Sequence, residues 1–349
     1  MVRHHTFQYS SAFTLESGGQ LPGFQLHYTL AGQLNEDATN VVWVVHALTG
    51  SSDFSQWWEN LIGAGKTFDP KNYLIIGVNS LGSCYGSTGP LSINPLSGQP
   101  YYHAFPFITQ RDIVRSFDIL REHLGIQQIH TLIGGSLGGQ QALEWAIEQP
   151  SLFSNLIVLA TNAQHSPYGI AFNESQRMSI ALDPTWKENQ PLAGIQGMKV
   201  ARSIGLLSYR TYQTYRKQQS ESDEEIIDGY RAASYQQYQG EKLSQRFNAF
   251  SYWVLSKTMD AHHVGRGRGS IAQALGRIQA NTLVIGIDSD LLFPLREQIL
   301  LQQYIPQATL ETIPSLYGHD GFLIETEKIG KSIQQFYSKQ KKTLNTLTP

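Results

Sequence analysis

The sequence predicts an α/β fold, with a mostly parallel central sheet, flanking helices and an inserted helical segment. Three observations carry this. Residues 129–146 read as an apolar strand, a glycine-rich turn and a helix without a break. From residue 41 to residue 160 short apolar runs alternate with helical periodicity, the pattern of parallel strands covered on both faces by crossover helices. Between residues 162 and 268 strand signals stop, tyrosine and glutamine become frequent and helical spacing takes over. These changes divide the chain into a first core segment (1–161), a helical lid (162–268) and a second core segment (269–349).

Composition bounds the function. A chain of 349 residues is long for one compact core, which fits a main domain carrying a large insertion. The hydrophobic share of 41% and charged share of 15% are those of a globular protein. A net charge of −2 offers no basic surface for nucleic acid or anionic lipid. The single cysteine, Cys84, excludes an internal disulfide and fits a reducing compartment. The N-terminal residues lack the apolar stretch of a leader and no segment has the length of a membrane span, so a cytoplasmic location is expected.

In chain order, residues 13–16 and 24–30 alternate apolar and polar side chains about Gly18 and Gly19, which predicts an antiparallel hairpin at a sheet edge. Residues 41–45 are apolar throughout, a buried parallel strand, and lead into His46-Ala-Leu-Thr-Gly50. Residues 73–78 form another such strand. The glycine-, serine- and proline-rich loop that follows, to about Phe105, is long enough to border a functional site. Ile113, Val114, Phe117, Leu120 and Leu124 have helical spacing and stop at Gly125. Residues 154–160 supply a further strand. In the lid, helices are expected over 197–209, 223–238 and 242–259. The core resumes with strands at 281–287 and 308–313 and closes with a helix at 325–336, and the tail 339–349 is expected to fray.

The chemistry centres on Gly134, Gly135, Ser136, Leu137 and Gly138. In a strand-to-helix turn this tight, the serine is forced into a strained conformation, tolerated because the glycines two residues to either side have no Cβ. Its hydroxyl is held clear of the sheet, beside the amide N–H groups that open the next helix. The arrangement resembles the nucleophile elbow of the α/β-hydrolase fold, and the surrounding strand and helix outweigh the plainer reading of an incidental serine. Leu137 N–H is the first oxyanion donor expected; Leu48 N–H is the second, with an ordinary strand-to-loop exit as the alternative on that segment alone.

A serine nucleophile needs a base and a carboxylate to orient it. The chain supplies them in the order this fold uses. Asp290 is preferred to Asp288 because it precedes the short apolar stretch from Leu291 to Pro294, and His319 is the base. Each lies just past the end of a predicted parallel strand. His262 and His263 beside Asp260 are adjacent on a helix and point in different directions, so no metal is expected.

Together, His46-Ala-Leu-Thr-Gly50, Gly86-Ser-Thr-Gly-Pro90, Gly134-Gly-Ser-Leu-Gly-Gly139, Leu143-Glu-Trp-Ala146, Ala201-Arg202, Ser208-Tyr-Arg210, Arg246-Phe247, Asp288-Ser-Asp-Leu-Leu-Phe-Pro294 and Gly318-His-Asp320 resemble the homoserine O-acetyltransferase family of the α/β-hydrolase fold, which opens methionine biosynthesis. The resemblance runs along nearly the whole chain. It implies that acetyl-CoA, a co-substrate rather than a cofactor, acylates Ser136, and that the acyl group passes to homoserine with His319 as shuttling base. It also implies that Arg202, with Tyr209 a heptad further on, binds the homoserine carboxylate, that Asp320 meets the amino group or hydroxyl, and that the lid pairs into a homodimer. A guanidinium at one end and a carboxylate at the other suit a small zwitterion. The lid is expected to keep water from the acyl-serine. Arg266 and Arg268 are candidates for the CoA phosphates, with a plain flexible loop the preferred reading.

Two departures from the family's pattern lie in the lid. Asn248 stands where Asp is common, and Lys187-Glu-Asn-Gln follows Asp183-Pro-Thr-Trp186 where a Gly-Gly-x-Tyr segment is common. The alternatives are a succinyl donor or a serine acceptor within the family, a plain esterase of the same fold, and a non-catalytic binding protein of that fold.

Overall fold

The computed structural model describes residues 2–347. Its centre is an eight-stranded sheet of β1 (Arg3–Tyr9), β2 (Phe24–Ala31), β3 (Val41–Val45), β4 (Leu74–Val78), β5 (Ile129–Gly135), β6 (Phe153–Leu159), β7 (Asn281–Ile287) and β8 (Ala308–Ile313). Their order across the sheet is β1-β2-β4-β3-β5-β6-β7-β8. The β1/β2 and β2/β4 pairs are antiparallel and every other pair is parallel. The helices are α1 (Gln110–His123), α2 (Leu137–Glu148), α3 (Pro167–Ala181), α4 (Ile195–Tyr209), α5 (Tyr212–Gln219), α6 (Arg231–Ser244), α7 (Ala249–Asp260), α8 (Ile271–Leu275), α9 (Leu295–Tyr304), α10 (Gly321–Ile324) and α11 (Thr326–Leu347). Among the described residues, no helix is long and apolar enough to cross a membrane.

Strand alternation feeds a core on each face of the sheet. On one face Trp43 meets Trp145 of α2 edge to face, ring centroids 5.0 Å apart, with Phe117 of α1 beside them. On the other, Val42 and Val44 pack with Trp58, Phe68 and residues Ile329, Ile333 and Phe336 of α11. Burying a residue of this size contributes about 1.5–3 kcal/mol. The start of α1 is fixed by a capping box between Thr109 and Asp112.

Some sequence expectations need correction. The partner of β2 is not the 13–16 segment but β1, in register from Arg3 opposite Leu30 to Tyr9 opposite Phe24. The Gly18 turn instead joins two two-residue strands, Phe13–Thr14 and Gln20–Leu21. In the lid, the helix expected over 223–238 begins only at Arg231. Gly229 has φ +73°, which interrupts helical backbone, and Ile227 in the acidic stretch before it is left exposed. The helix expected over 242–259 is two helices, because Asn248 has extended backbone and caps α7 by accepting the Ser251 N–H at 2.8 Å. Aspartate would cap equally well, so this departure from the family's pattern keeps the local function. The terminal helix continues to Leu347 rather than fraying from residue 339, and residues 348–349 lie outside those described.

Candidate active site

The turn from β5 into α2 holds Ser136 at φ 56°, ψ −125°. A Cβ on Gly134 would sit 2.3 Å from the Gly138 carbonyl oxygen, and one on Gly138 2.3 Å from that of Val45, so only glycine fits either position. Ser136 N–H donates to Leu159 O at 2.9 Å, and Thr161 Oγ1 donates to Ser136 O at 2.9 Å. The strained residue is thus pinned from both sides.

His319 follows β8 in a single tight turn that Gly318, at φ +62°, makes possible. Its Nε2 lies 2.9 Å from Ser136 Oγ and its Nδ1 2.6 Å from Asp290 Oδ2. The other Asp290 oxygen accepts the backbone N–H groups of Leu292 and Phe293, each at 2.8 Å. That carboxylate therefore fixes a tautomer with hydrogen on Nδ1 and a lone pair on Nε2 toward the serine. Phe293 stacks on the imidazole at 4.9 Å and Phe322 lies at 5.2 Å, so the triad is shielded from water. Asp288 points elsewhere and accepts the Ser315 N–H at 2.9 Å.

Leu137 is the first residue of α2 and its N–H has no intrahelical acceptor. Leu48 lines the same cavity as Ser136 and His319. The loop carrying Leu48 is held by His46, whose Nδ1–H donates to Ala47 O at 2.8 Å while Nε2 accepts the Ser80 N–H at 3.0 Å.

The cavity measures about 80 Å³, and its wall includes Arg202, Ser208, Tyr209, Gln176, Met259 and Asp320. The Arg202 guanidinium lies 5.6 Å from the Tyr209 ring centroid and makes no ion pair among the described residues. Burial raises the Tyr209 phenol above its usual range, and it remains a neutral hydrogen-bonding group. Asp320 is held by Arg210, whose Nε donates to it at 3.0 Å. Sequence reasoning missed that pairing. Arg210 lay within a recognised segment, but nothing in local spacing links positions 110 residues apart. Gln176 was missed as well, and it accepts a hydrogen bond from the buried Tyr252 hydroxyl.

The remaining candidates are tied into the structure elsewhere. His262 donates to Asn162 O at 2.9 Å, and among the described residues no group of His, Cys, Asp and Glu is arranged to hold a metal. Arg266 pairs with Glu16 at 3.0 Å, and Arg268 pairs with Glu144 at 2.6 Å and Glu148 at 3.3 Å. Neither arginine lines the cavity beside Ser136, and carboxylates of other elements hold both.

Buried neutral histidines make stability pH-dependent. Burial lowers His46 and His165 to about 4 and His262 to about 3. Each is below the unfolded value, so the unfolded chain binds more protons as pH falls through 6.5, and stability is lost on acidification. Each histidine costs about 1–2 kcal/mol between pH 7 and pH 5, above the range where most carboxylates titrate. Thermal denaturation should show the transition falling steadily across that window; an unchanged midpoint at pH 5 would contradict this.

The family model for the α/β hydrolase fold matches residues 40–326. The chain is 51% identical over 331 residues to the homoserine O-acetyltransferase of Cyclobacterium marinum, covering 95% of this chain and 94% of that one. Among solved structures, homoserine O-acetyltransferase from Staphylococcus aureus superposes with a TM-score of 0.80 at 29% identity, covering 97% of this chain and 95% of that one. A mutant of esterase E22 superposes with a TM-score of 0.88 at 25% identity, covering 96% and 99%.

Proposed function

The chain belongs to the homoserine O-acetyltransferases of the α/β-hydrolase fold, and from that premise we propose how its residues move an acetyl group from acetyl-CoA to homoserine. His319 Nε2 takes the Ser136 proton as Oγ attacks the thioester carbonyl, and the Leu48 and Leu137 N–H groups receive the oxyanion. The carbon–sulfur bond breaks, the His319 proton goes to the CoA thiolate, and acetyl-Ser136 remains. Homoserine then binds, His319 takes its hydroxyl proton, and the new oxygen attacks the acyl carbon. Ser136 leaves with the proton returned. These steps use no metal or further cofactor.

One observation supports transfer to an amino acid over plain ester hydrolysis: an unpaired guanidinium and a carboxylate share the small cavity beside the triad. Arg202 receives the homoserine carboxylate, and Asp320, kept in place by Arg210, faces the ammonium group. Hydrolysis would need neither. The same wall favours acetyl over succinyl, because among the described residues Arg202 is the one arginine or lysine on it and a succinyl carboxylate would compete with homoserine for that group. Steady-state assays of acetyl-CoA and succinyl-CoA against homoserine and serine should give the acetyl–homoserine pair the highest kcat/KM. Equal use of both donors, or thioester hydrolysis indifferent to the amino acid, would overturn this assignment.

The lid helices also present apolar side chains outward. Met178 and Leu182 at α3 and Val200 and Leu207 on α4 are all more than half exposed on two helices packed against each other. Apolar surface of this kind marks an interface, and a second copy of the chain is the partner we propose for it. Sedimentation as a monomer at micromolar concentration would refute the dimer. A single, partly buried cysteine and a CoA-dependent reaction fit a cytoplasmic enzyme.

A further inference from the structure

The catalytic cavity adjoins a larger hollow of about 740 Å³, and the two share Ala47, Thr49, Arg202 and Leu323 on their walls. Lys242 of α6 and Arg246, just past its end, line the outer hollow, with Arg202 where it meets the cavity. None of the three makes an ion pair among the described residues. Lys242 sits 6.0 Å from the Tyr238 ring, and Arg246 donates to two neutral acceptors, Thr49 O at 2.7 Å and the Tyr85 hydroxyl. Asp53, a carboxylate on this wall, accepts hydrogen bonds from Ser55 and Gln56 and pairs with none of the three cations. The neighbouring Glu241 pairs with Lys199, outside the hollow.

The floor is fixed before any ligand arrives. Ser52 N–H donates to Asn79 Oδ1 at 2.6 Å, the Ser52 and Thr29 hydroxyls lie 2.8 Å apart, and His27 Nδ1 lies 3.1 Å from Ser52 Oγ. A rigid hollow with Arg202, Lys242 and Arg246 set against the single carboxylate of Asp53 among its described residues, beside an acyl-transfer site, suits a polyanion. The acyl end of acetyl-CoA carries no charge, whereas its 3′-phosphorylated ADP end carries several. Resting on the acetyl-CoA reading above, we propose that Lys242 and Arg246 bind the phosphates of the CoA nucleotide in the outer hollow, so that the pantetheine arm passes Arg202 to reach Ser136. Arg266 and Arg268, ion-paired to Glu16, Glu144 and Glu148, have no part in it.

Lys242 is the residue to test, because Arg246 also anchors the carbonyl next to Leu48. The assay compares acetyl-CoA with S-acetyl-N-acetylcysteamine, a thioester lacking the nucleotide, at saturating homoserine. The wild type should prefer acetyl-CoA by about 100-fold in kcat/KM, with the preference shrinking as salt rises. Lys242→Glu should raise KM for acetyl-CoA about tenfold with little change in kcat, reducing that preference, while Lys242→Arg retains it. Arg266→Gln should leave KM for acetyl-CoA within about twofold. An unaltered KM in Lys242→Glu, or equal use of both donors by the wild type, would remove the nucleotide site and leave acetyl transfer standing. Absence of homoserine-dependent thiol release from either donor would remove acetyl transfer, and this site with it.

Discussion

Ser136→Ala should lower acetyl transfer by about 10⁴-fold or more while leaving the fold intact. The loss is large because the substitution deletes the atom that is acylated and leaves His319 Nε2 with no hydroxyl at 2.9 Å to deprotonate. The fold should survive because alanine keeps the Cβ that already occupies this turn at φ 56°, and the backbone bonds to Leu159 and Thr161 do not involve the hydroxyl. What remains is direct attack of homoserine on acetyl-CoA, assisted only by binding and the oxyanion donors. Thermal unfolding near that of the wild type, with kcat collapsed, is the expected pair of readings. A variant that retained more than about a hundredth of wild-type kcat would show that the acyl group does not pass through this serine.

Asp290→Asn should cost about 10³–10⁴ in kcat, with Asp288→Asn within a few-fold of wild type. The asparagine oxygen can still accept the Leu292 and Phe293 N–H groups, so the loop keeps its shape. Its amide would then turn an N–H toward His319 Nδ1, where the carboxylate oxygen lies at 2.6 Å, and favour the tautomer with hydrogen on Nε2. That imidazole has no lone pair for the serine proton. Asp288 makes a hydrogen bond to Ser315 N–H that an amide oxygen preserves, so the same substitution two residues away tests the choice between them. Comparable losses in both variants would mean that the effect is structural rather than tautomeric.

What was legible in the sequence follows from how local the constraint is. The elbow could be read because its strained serine dictates glycine at positions 134 and 138, and the observed close approaches to Gly138 O and Val45 O are the reason. The parallel strands could be read because burial on both faces demands continuous apolar runs, as in β3. Asp290 could be proposed because it follows the end of such a strand and His319 because it follows the last strand, β8, although only three-dimensional packing brings them together.

Features set by remote contacts were not legible. β1 was missed because only Phe7 of its seven residues is buried, which leaves no alternation to detect. The Arg210–Asp320 pair joins the lid to the last core turn across 110 residues. Naming Arg266 and Arg268 as candidates for the phosphates, with a flexible loop preferred, weighed charge without partners. The carboxylates that pair with them come from the N-terminal segment and from α2, whereas Lys242 and Arg246 have no such partners among the described residues.

The most direct measurement of the double displacement is intact mass after mixing the protein with acetyl-CoA in the absence of acceptor, then after adding homoserine. The expected result is a gain of one acetyl group that is absent in Ser136→Ala, persists in water longer than in homoserine, and is discharged by homoserine as O-acetylhomoserine forms. Product formation with no acetylated protein at any time, on a timescale that resolves a single turnover, would contradict the acyl-Ser136 intermediate and require direct transfer between the two substrates.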